Sequence, residues 1–270
     1  AGDTLSTQID TLDMSRLTFI EPYSMVSLLL LGRNYLRSTG EKIKLINIPL
    51  NINQYLTRMD FFNYHFFEVP EYLNEKLMLK RSAFSKRVIE ITEIPNKERE
   101  SVRVISDVIS VFRKRASHIL KFWIADHITD YFVTVISELC QNIFEHSLGS
   151  GYIAMQTYTV GQENIVRLVI SDSGIGILKS FENKTEIQYK TPAELLEMNL
   201  TTPISSKREF GYGLCQVNTI IEKLKGTIFI RSDNSSVSFV YHKKKHNLSS
   251  FLKNDLTFFP GTQITISLSS

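Results

Sequence analysis

Apolar residues recur at helical spacing through Phe132, Val133, Ile136, Leu139, Cys140 and Ile143, which predicts a helix over 126–147 with one buried stripe. Glu138, Asn142 and His146 follow at four-residue intervals, so a polar stripe runs along one side of the same helix. A β-branched run at Leu168-Val169-Ile170 then ends in Ser171-Asp172-Ser173-Gly174-Ile175-Gly176, a strand closing on an acid and two glycines. Further on, Phe210-Gly211-Tyr212-Gly213-Leu214 stands directly before an apolar helical pattern that continues through Val217, Ile220, Ile221 and Leu224. Between these two motifs the pattern weakens. Residues 178–210 hold a helix-like piece at 192–198 and a short polar, cationic stretch ending in Lys207-Arg208, which reads as a lid.

The first part of the chain has a different rhythm. A strand over 11–20, a helix over 24–38 with Gly40 just past its end, a buried strand over 44–48 and a helix over 53–62 predict a small α/β layer of its own. Residues 66–95 read as a connector with a β-rich run at 87–94, and Pro95-Asn96-Lys97-Glu98-Arg99-Glu100 marks the boundary. The expected domains are therefore 1–95 and 96–270. A helical pattern over 101–116 opens the second.

Composition adds little to this and excludes a good deal. With 270 residues, 43% of them hydrophobic, the chain can bury two cores. The net charge of +3 is spread over mixed signs, so nucleic acid is not indicated as a partner; the run Lys243-Lys244-Lys245 lies between strand-like segments and reads as a solvated loop. Cys140 and Cys215 fall at apolar positions inside helical patterns, where they pack as small hydrophobes and suit a reducing cytoplasm. The apolar stretch 25–31 is far shorter than the roughly 20 residues that cross a bilayer, and the opening residues do not read as a secretory signal.

Each motif taken alone also has a structural reading: a solvated helix side, a turn after a strand, a tight glycine loop. Their conjunction says more. In this order, Glu138-x-x-x-Asn142, Asp172-x-Gly174-x-Gly176 and Gly211-x-Gly213-Leu214 resemble the asparagine box and the two glycine boxes of the GHKL ATPase superfamily, which includes gyrase, heat-shock chaperone, histidine kinase and mismatch-repair ATPase domains. Leu224-Lys225-Gly226-Thr227-Ile228 resembles its glycine-strand segment, with one glycine where two are common, and Pro260-Gly261-Thr262 resembles the start of its closing strand. The resemblance implies an α/β sandwich of the Bergerat type, with helices on one face of a mixed sheet, that binds ATP and Mg2+. It makes Asn142 the metal ligand, in keeping with magnesium's preference for a few hard oxygen donors beside phosphates and water. Glu138, one turn earlier, becomes the catalytic base. Asp172 reads the adenine amino group, since a carboxylate only accepts. Gly174, Gly176 and Thr262 lie by the base, while Gly211, Gly213, Leu214, Lys207 and His146 lie by the phosphates, where helix-start amides attract anions.

Leu12 to Pro22 followed by an apolar helix, Gly40, Lys44-Leu45-Ile46-Asn47-Ile48 and Tyr55-Leu56-Thr57-Arg58-Met59-Asp60-Phe61 resemble a STAS domain of the anti-sigma factor antagonists, although the first strands of a complete one are missing. In that family an Asp-Ser pair at the strand-to-helix junction carries the phosphorylated serine. Here Glu21-Pro22 stands in its place, and proline has no hydroxyl. His118 lacks the adjacent acid of a histidine-kinase acceptor helix. The combination implies a regulatory ATP-binding module in the style of the anti-sigma serine kinases, acting on or through a partner protein, with a homodimer left open. An ATP-hydrolysing conformational switch and a non-catalytic nucleotide-binding scaffold are the alternatives.

Overall fold

The computed structural model describes residues 10–70, 85–95, 102–144, 149–184, 187–206, 213–242 and 248–269. The chain divides into two compact units, residues 1–83 and 84–270.

In the first unit, β1 (Thr11–Asp13), β2 (Ile43–Ile46) and β3 (Phe67–Glu68) form a parallel three-stranded sheet in that order, with α1 (Pro22–Thr39) and α2 (Leu50–Arg58) as the connections. Pro22 begins α1, where its missing N–H costs no hydrogen bond, and Gly40 ends it at φ 77° in the left-handed region. Met25, Val26, Leu29 and Leu30 of α1 pack with Leu45, Leu56 and Phe61 in a core that is almost fully closed to solvent. At Gly32 the helix touches the sheet end directly: a Cβ there would lie 2.4 Å from the Phe67 ring.

Two expectations need correction here. The strand expected over 11–20 stops at Asp13, because the Asp13 carboxylate accepts a hydrogen bond from Ser15 N (2.8 Å) and Leu17 N donates to Met14 O (2.9 Å), which turns the chain. The helix expected over 53–62 starts earlier and ends at Arg58, since Asp60 turns left-handed (φ 63°) ahead of a separate 3-10 turn, Phe61–Tyr64.

The second unit is built on a seven-stranded sheet. Its strands are β4 (Val88–Ile94), β5 (Gly151–Val160), β6 (Glu163–Asp172), β7 (Thr227–Asp233), β8 (Ser235–Tyr241), β9 (Leu248–Lys253) and β10 (Phe259–Ser269), in the spatial order β4-β5-β6-β10-β7-β8-β9. The expected boundary at 95/96 falls just after β4, which pairs with β5 in this sheet. Where a mixed sheet was expected, every neighbouring pair is antiparallel. The reason is topological. The helical crossover from β6 to β7 leaves those strands parallel to each other, but β10 inserts between them and runs opposite to both.

The helices of this unit among the described residues are α3 (Val102–Leu120), α4 (Asp126–Asn142), α5 (Gly176–Ser180), α6 (Pro192–Thr201) and α7 (Gly213–Lys223). Phe112 and Ile119 of α3, Phe132, Ile136 and Leu139 of α4, Leu196 and Leu200 of α6 and Val217 and Ile221 of α7 share one core with Ile153, Leu168, Ile170, Ile230 and Ile266 of the sheet. Removing that apolar surface from water is what fixes the helices to one sheet face, at about 25 cal/mol per Å2. No helix among the described residues is long and apolar enough to cross a membrane.

Candidate functional site

Two glycines close the end of α4 onto the sheet and onto α7, and a third closes the last strand onto Asp172. Gly151 faces Asp172 across the β5–β6 pair, and a Cβ on it would lie 2.5 Å from Ile143 Cδ1 and 2.9 Å from Ser171 O, so the absence of a side chain lets the end of α4 settle against β5 beside Asp172. Gly213, the first residue of α7, sits against the same helix: its Cβ position is 3.3 Å from Asn142 Oδ1 and 3.6 Å from Glu138 Oε2. Gly261 turns left-handed (φ 86°), and a Cβ there would meet Asp172 O at 2.1 Å. Thus the helix motif, the strand-end acid, the second glycine motif and the closing strand all converge.

They enclose a cleft of about 780 Å3, counted with its open mouth and lined by Leu139, Asn142, Ile143, Ile170, Ser171, Asp172, Gly176, Ile177, Gly213, Leu214, Thr262 and Ile264. Phe181, Asn199, Ile204, Ser205 and Ser206 add a further wall from the segment between the two glycine motifs. Its surface combines several apolar side chains, suited to a flat ring, with a few polar groups that orient it.

Asp172 is 5% exposed and has no cationic partner among the described residues that act on it. Burial pushes its carboxyl up from 3.8 to about 7, while hydrogen bonds from the backbone N–H groups of Gly174 (2.8 Å) and Thr262 oppose the rise and the nearby Asp233 carboxylate adds to it. A buried carboxylate held by two backbone donors is short of a further donor, which an exocyclic amino group supplies. At another polar position of the cleft, Asn142 Nδ2 is buried without a hydrogen-bond partner among the described residues. An asparagine at this place in the cleft lining carries an amide oxygen, a hard donor of the kind a magnesium ion takes. Cys140, buried beside this stripe, has its thiol pushed up to about 12 by burial, so it packs as an apolar group.

Of the residues singled out from the sequence, Asn142, Asp172, Gly176, Gly213, Leu214 and Thr262 line the cleft. Glu138 stands one turn before Asn142 on α4, with its carboxylate at Gly213. Gly174 lies on the outer side of its loop, in a neighbouring depression with Lys179, Asp233 and Phe258, and reaches the cleft through its N–H bond to Asp172. His146, Lys207 and Gly211, with Arg208, lie outside the described residues. The helix-like piece expected over 192–198 ahead of the lid stretch is a helix, Pro192–Thr201. The helix is α6, which buries Leu195, Leu196 and Leu200 and starts with a reciprocal pair in which Thr191 Oγ1 accepts from Glu194 N while Glu194 Oε2 accepts from Thr191 N. Asn254 Oδ1 accepts a further first-turn N–H, that of Ala193, at 3.0 Å. Sequence reasoning missed Ser171, Ile177, Phe181 and Asn199. Ile177 follows directly on Gly176 and Ser171 precedes Asp172, so adjacency could have found both.

A profile of the histidine kinase-, DNA gyrase B- and HSP90-like ATPases matches residues 128–269, more than half of the chain. The chain belongs to that family. No curated protein matches it over any part of its length.

Proposed function

We propose that the chain binds ATP with magnesium in this cleft and passes the γ-phosphoryl group to a hydroxyl of a partner protein, in the manner of an anti-sigma-type serine kinase. The observation that carries the reading is the meeting of Gly213 with Asn142 and Glu138 in the cleft that also buries Asp172. Asp172 accepts from the adenine amino group, Thr262 and the Gly174–Gly176 turn lie along the ring, and the N–H groups at the start of α7 face the phosphates. Asn142 would hold the metal, whose chemistry is to neutralise phosphate charge. Glu138 accepts the proton of the attacking hydroxyl as the oxygen–phosphorus bond forms and ADP leaves. His146 and Lys207 are assigned to the phosphates on the resemblance alone.

The first unit, a parallel sheet with two helices, is read as a degenerate STAS-type regulator. Pro22 at the start of α1 removes the hydroxyl that such a domain would offer for phosphorylation, so the acceptor lies on another protein. Incubation with γ-labelled ATP and candidate partners tests the reading. Phosphate on a partner serine or threonine supports it. Free phosphate alone points to a hydrolytic switch in which Glu138 activates water, and bound, unreacted ATP points to a scaffold.

A further inference from the structure

The link between the two backbone turns beside Asp172 is made by a residue outside the cleft. Ser232, in β7, is fully buried. Its Oγ accepts from Ile177 N at 2.8 Å and lies 3.3 Å from Gly261 O, to which it donates. Ile177 N is an early N–H of α5, which has no intrahelical acceptor, and Ile175 before the helix gives no side-chain cap. Gly261 lies where the β7–β10 register shifts between Phe259 and Thr262, and its carbonyl accepts from the Ser232 hydroxyl there. The fit is close, since a Cβ on Gly176 (φ 76°) would lie 2.8 Å from Ser232 Oγ and 2.7 Å from Asp233 Oδ2.

We propose that Ser232 is a positioning residue for the base-binding wall: its hydroxyl ties the Gly174–Ile177 turn to the Gly261–Thr262 turn and so sets the direction of the Asp172 carboxylate. Gly174 and Thr262, the two residues whose N–H groups hold Asp172, belong to the two turns that Ser232 joins. Asp233 Oδ2, 3.4 Å from the same hydroxyl, is the competing acceptor. Loss of the hydroxyl therefore frees the turns to move apart, and the carboxylate loses its alignment with the base while the phosphate side, held by α4 and α7, is unchanged. This inference depends on the adenine-nucleotide reading.

The test uses the full chain with Ser232→Ala and Ser232→Cys, the second keeping the buried volume with a much weaker hydrogen-bonding group. Amide exchange needs no nucleotide: Ile177 N–H is expected to exchange at least tenfold faster in both variants. Calorimetry with ATP and GTP then reads the base wall. ATP affinity is expected to fall about tenfold, the scale of one hydrogen bond, with GTP binding unchanged, so the ATP-to-GTP ratio falls by the same factor. Unchanged Ile177 exchange in a folded variant overturns the link. Faster exchange with an unchanged ATP-to-GTP ratio, or an equal loss for both nucleotides, overturns the positioning role. If the alanine variant does not fold, the cysteine variant decides. Failure of the wild-type protein to bind ATP would sink the nucleotide reading and leave the exchange result standing.

Discussion

Replacing Asp172 by asparagine separates what this residue costs the fold from what it gives the site. In the folded chain its carboxyl is raised from 3.8 to about 7, with burial as the main cause. A group whose folded value lies above its unfolded value stabilises the fold fully below the unfolded one, and that stability is lost as pH rises towards the folded one. The interval from 3.8 to about 7 corresponds to about 4 kcal/mol. About 3 kcal/mol of it lies between pH 5 and pH 8. Asparagine carries no charge to desolvate, yet it offers one acceptor oxygen where the carboxylate offered two to the backbone donors of Gly174 and Thr262, a loss of about 1 to 3 kcal/mol. Asp172→Asn is therefore expected to stabilise the nucleotide-free protein by roughly 1 to 3 kcal/mol at pH 8. At pH 5 it should be neutral or destabilising. ATP affinity at pH 8 is expected to fall by about 1.5 to 3 kcal/mol, the range for a hydrogen bond to a charged acceptor. Urea unfolding at several pH values, with calorimetry of ATP binding, reads both effects. Parallel pH dependence of stability in the wild type and the variant would refute the reasoning, as would an unchanged ATP affinity in the folded variant.

Glu138→Ala is expected to keep ATP binding and lose turnover by about 100-fold or more, the scale of a general base, measured by phosphate release or transfer. Asn142→Ala should bind ATP normally without magnesium and lose the gain that magnesium brings, which titration with and without the metal checks. Gly261→Ala places a Cβ 2.1 Å from Asp172 O at a left-handed φ of 86°, and thermal melting is expected to show a fold weakened by several kcal/mol or lost. Residues 1–64 should take up no stoichiometric phosphate on incubation with magnesium ATP; intact mass and peptide mapping would contradict this by a full phosphate on Ser15, Thr18 or Ser24.

The parts of the site that were legible in the sequence are those where one backbone need dictates one residue type. Gly176 and Gly261 stand at left-handed positions, Gly213 stands where a helix start meets Asn142, and the polar stripe of α4 emerges from helical spacing alone. The sheet was harder to read. Leu168, Val169, Ile170, Ser171 and Asp172 are all buried, so β6 shows a continuous apolar run in place of an alternation that would have told which side Asp172 faces. The insertion of β10 between β6 and β7 links strands far apart in the chain, which no local pattern records. Ser232 was hidden for a similar reason: a serine at the end of a strand has many ordinary roles, and its partners at Ile177 and Gly261 are 55 and 29 residues away. In the first unit, the strand over 11–20 was overread because Asp13, an ordinary polar residue in sequence, bonds to Ser15 N and turns the chain.

The central claim is that the cleft around Asn142 and Asp172 is an adenine-nucleotide site, and isothermal titration of the full chain with magnesium ATP at pH 8 tests it most directly. The account predicts one saturable site per chain, weakened by Asp172→Asn and, with magnesium present, by Asn142→Ala. A folded protein that gives no binding at millimolar ATP, or that binds equally well with both substitutions in place, contradicts it.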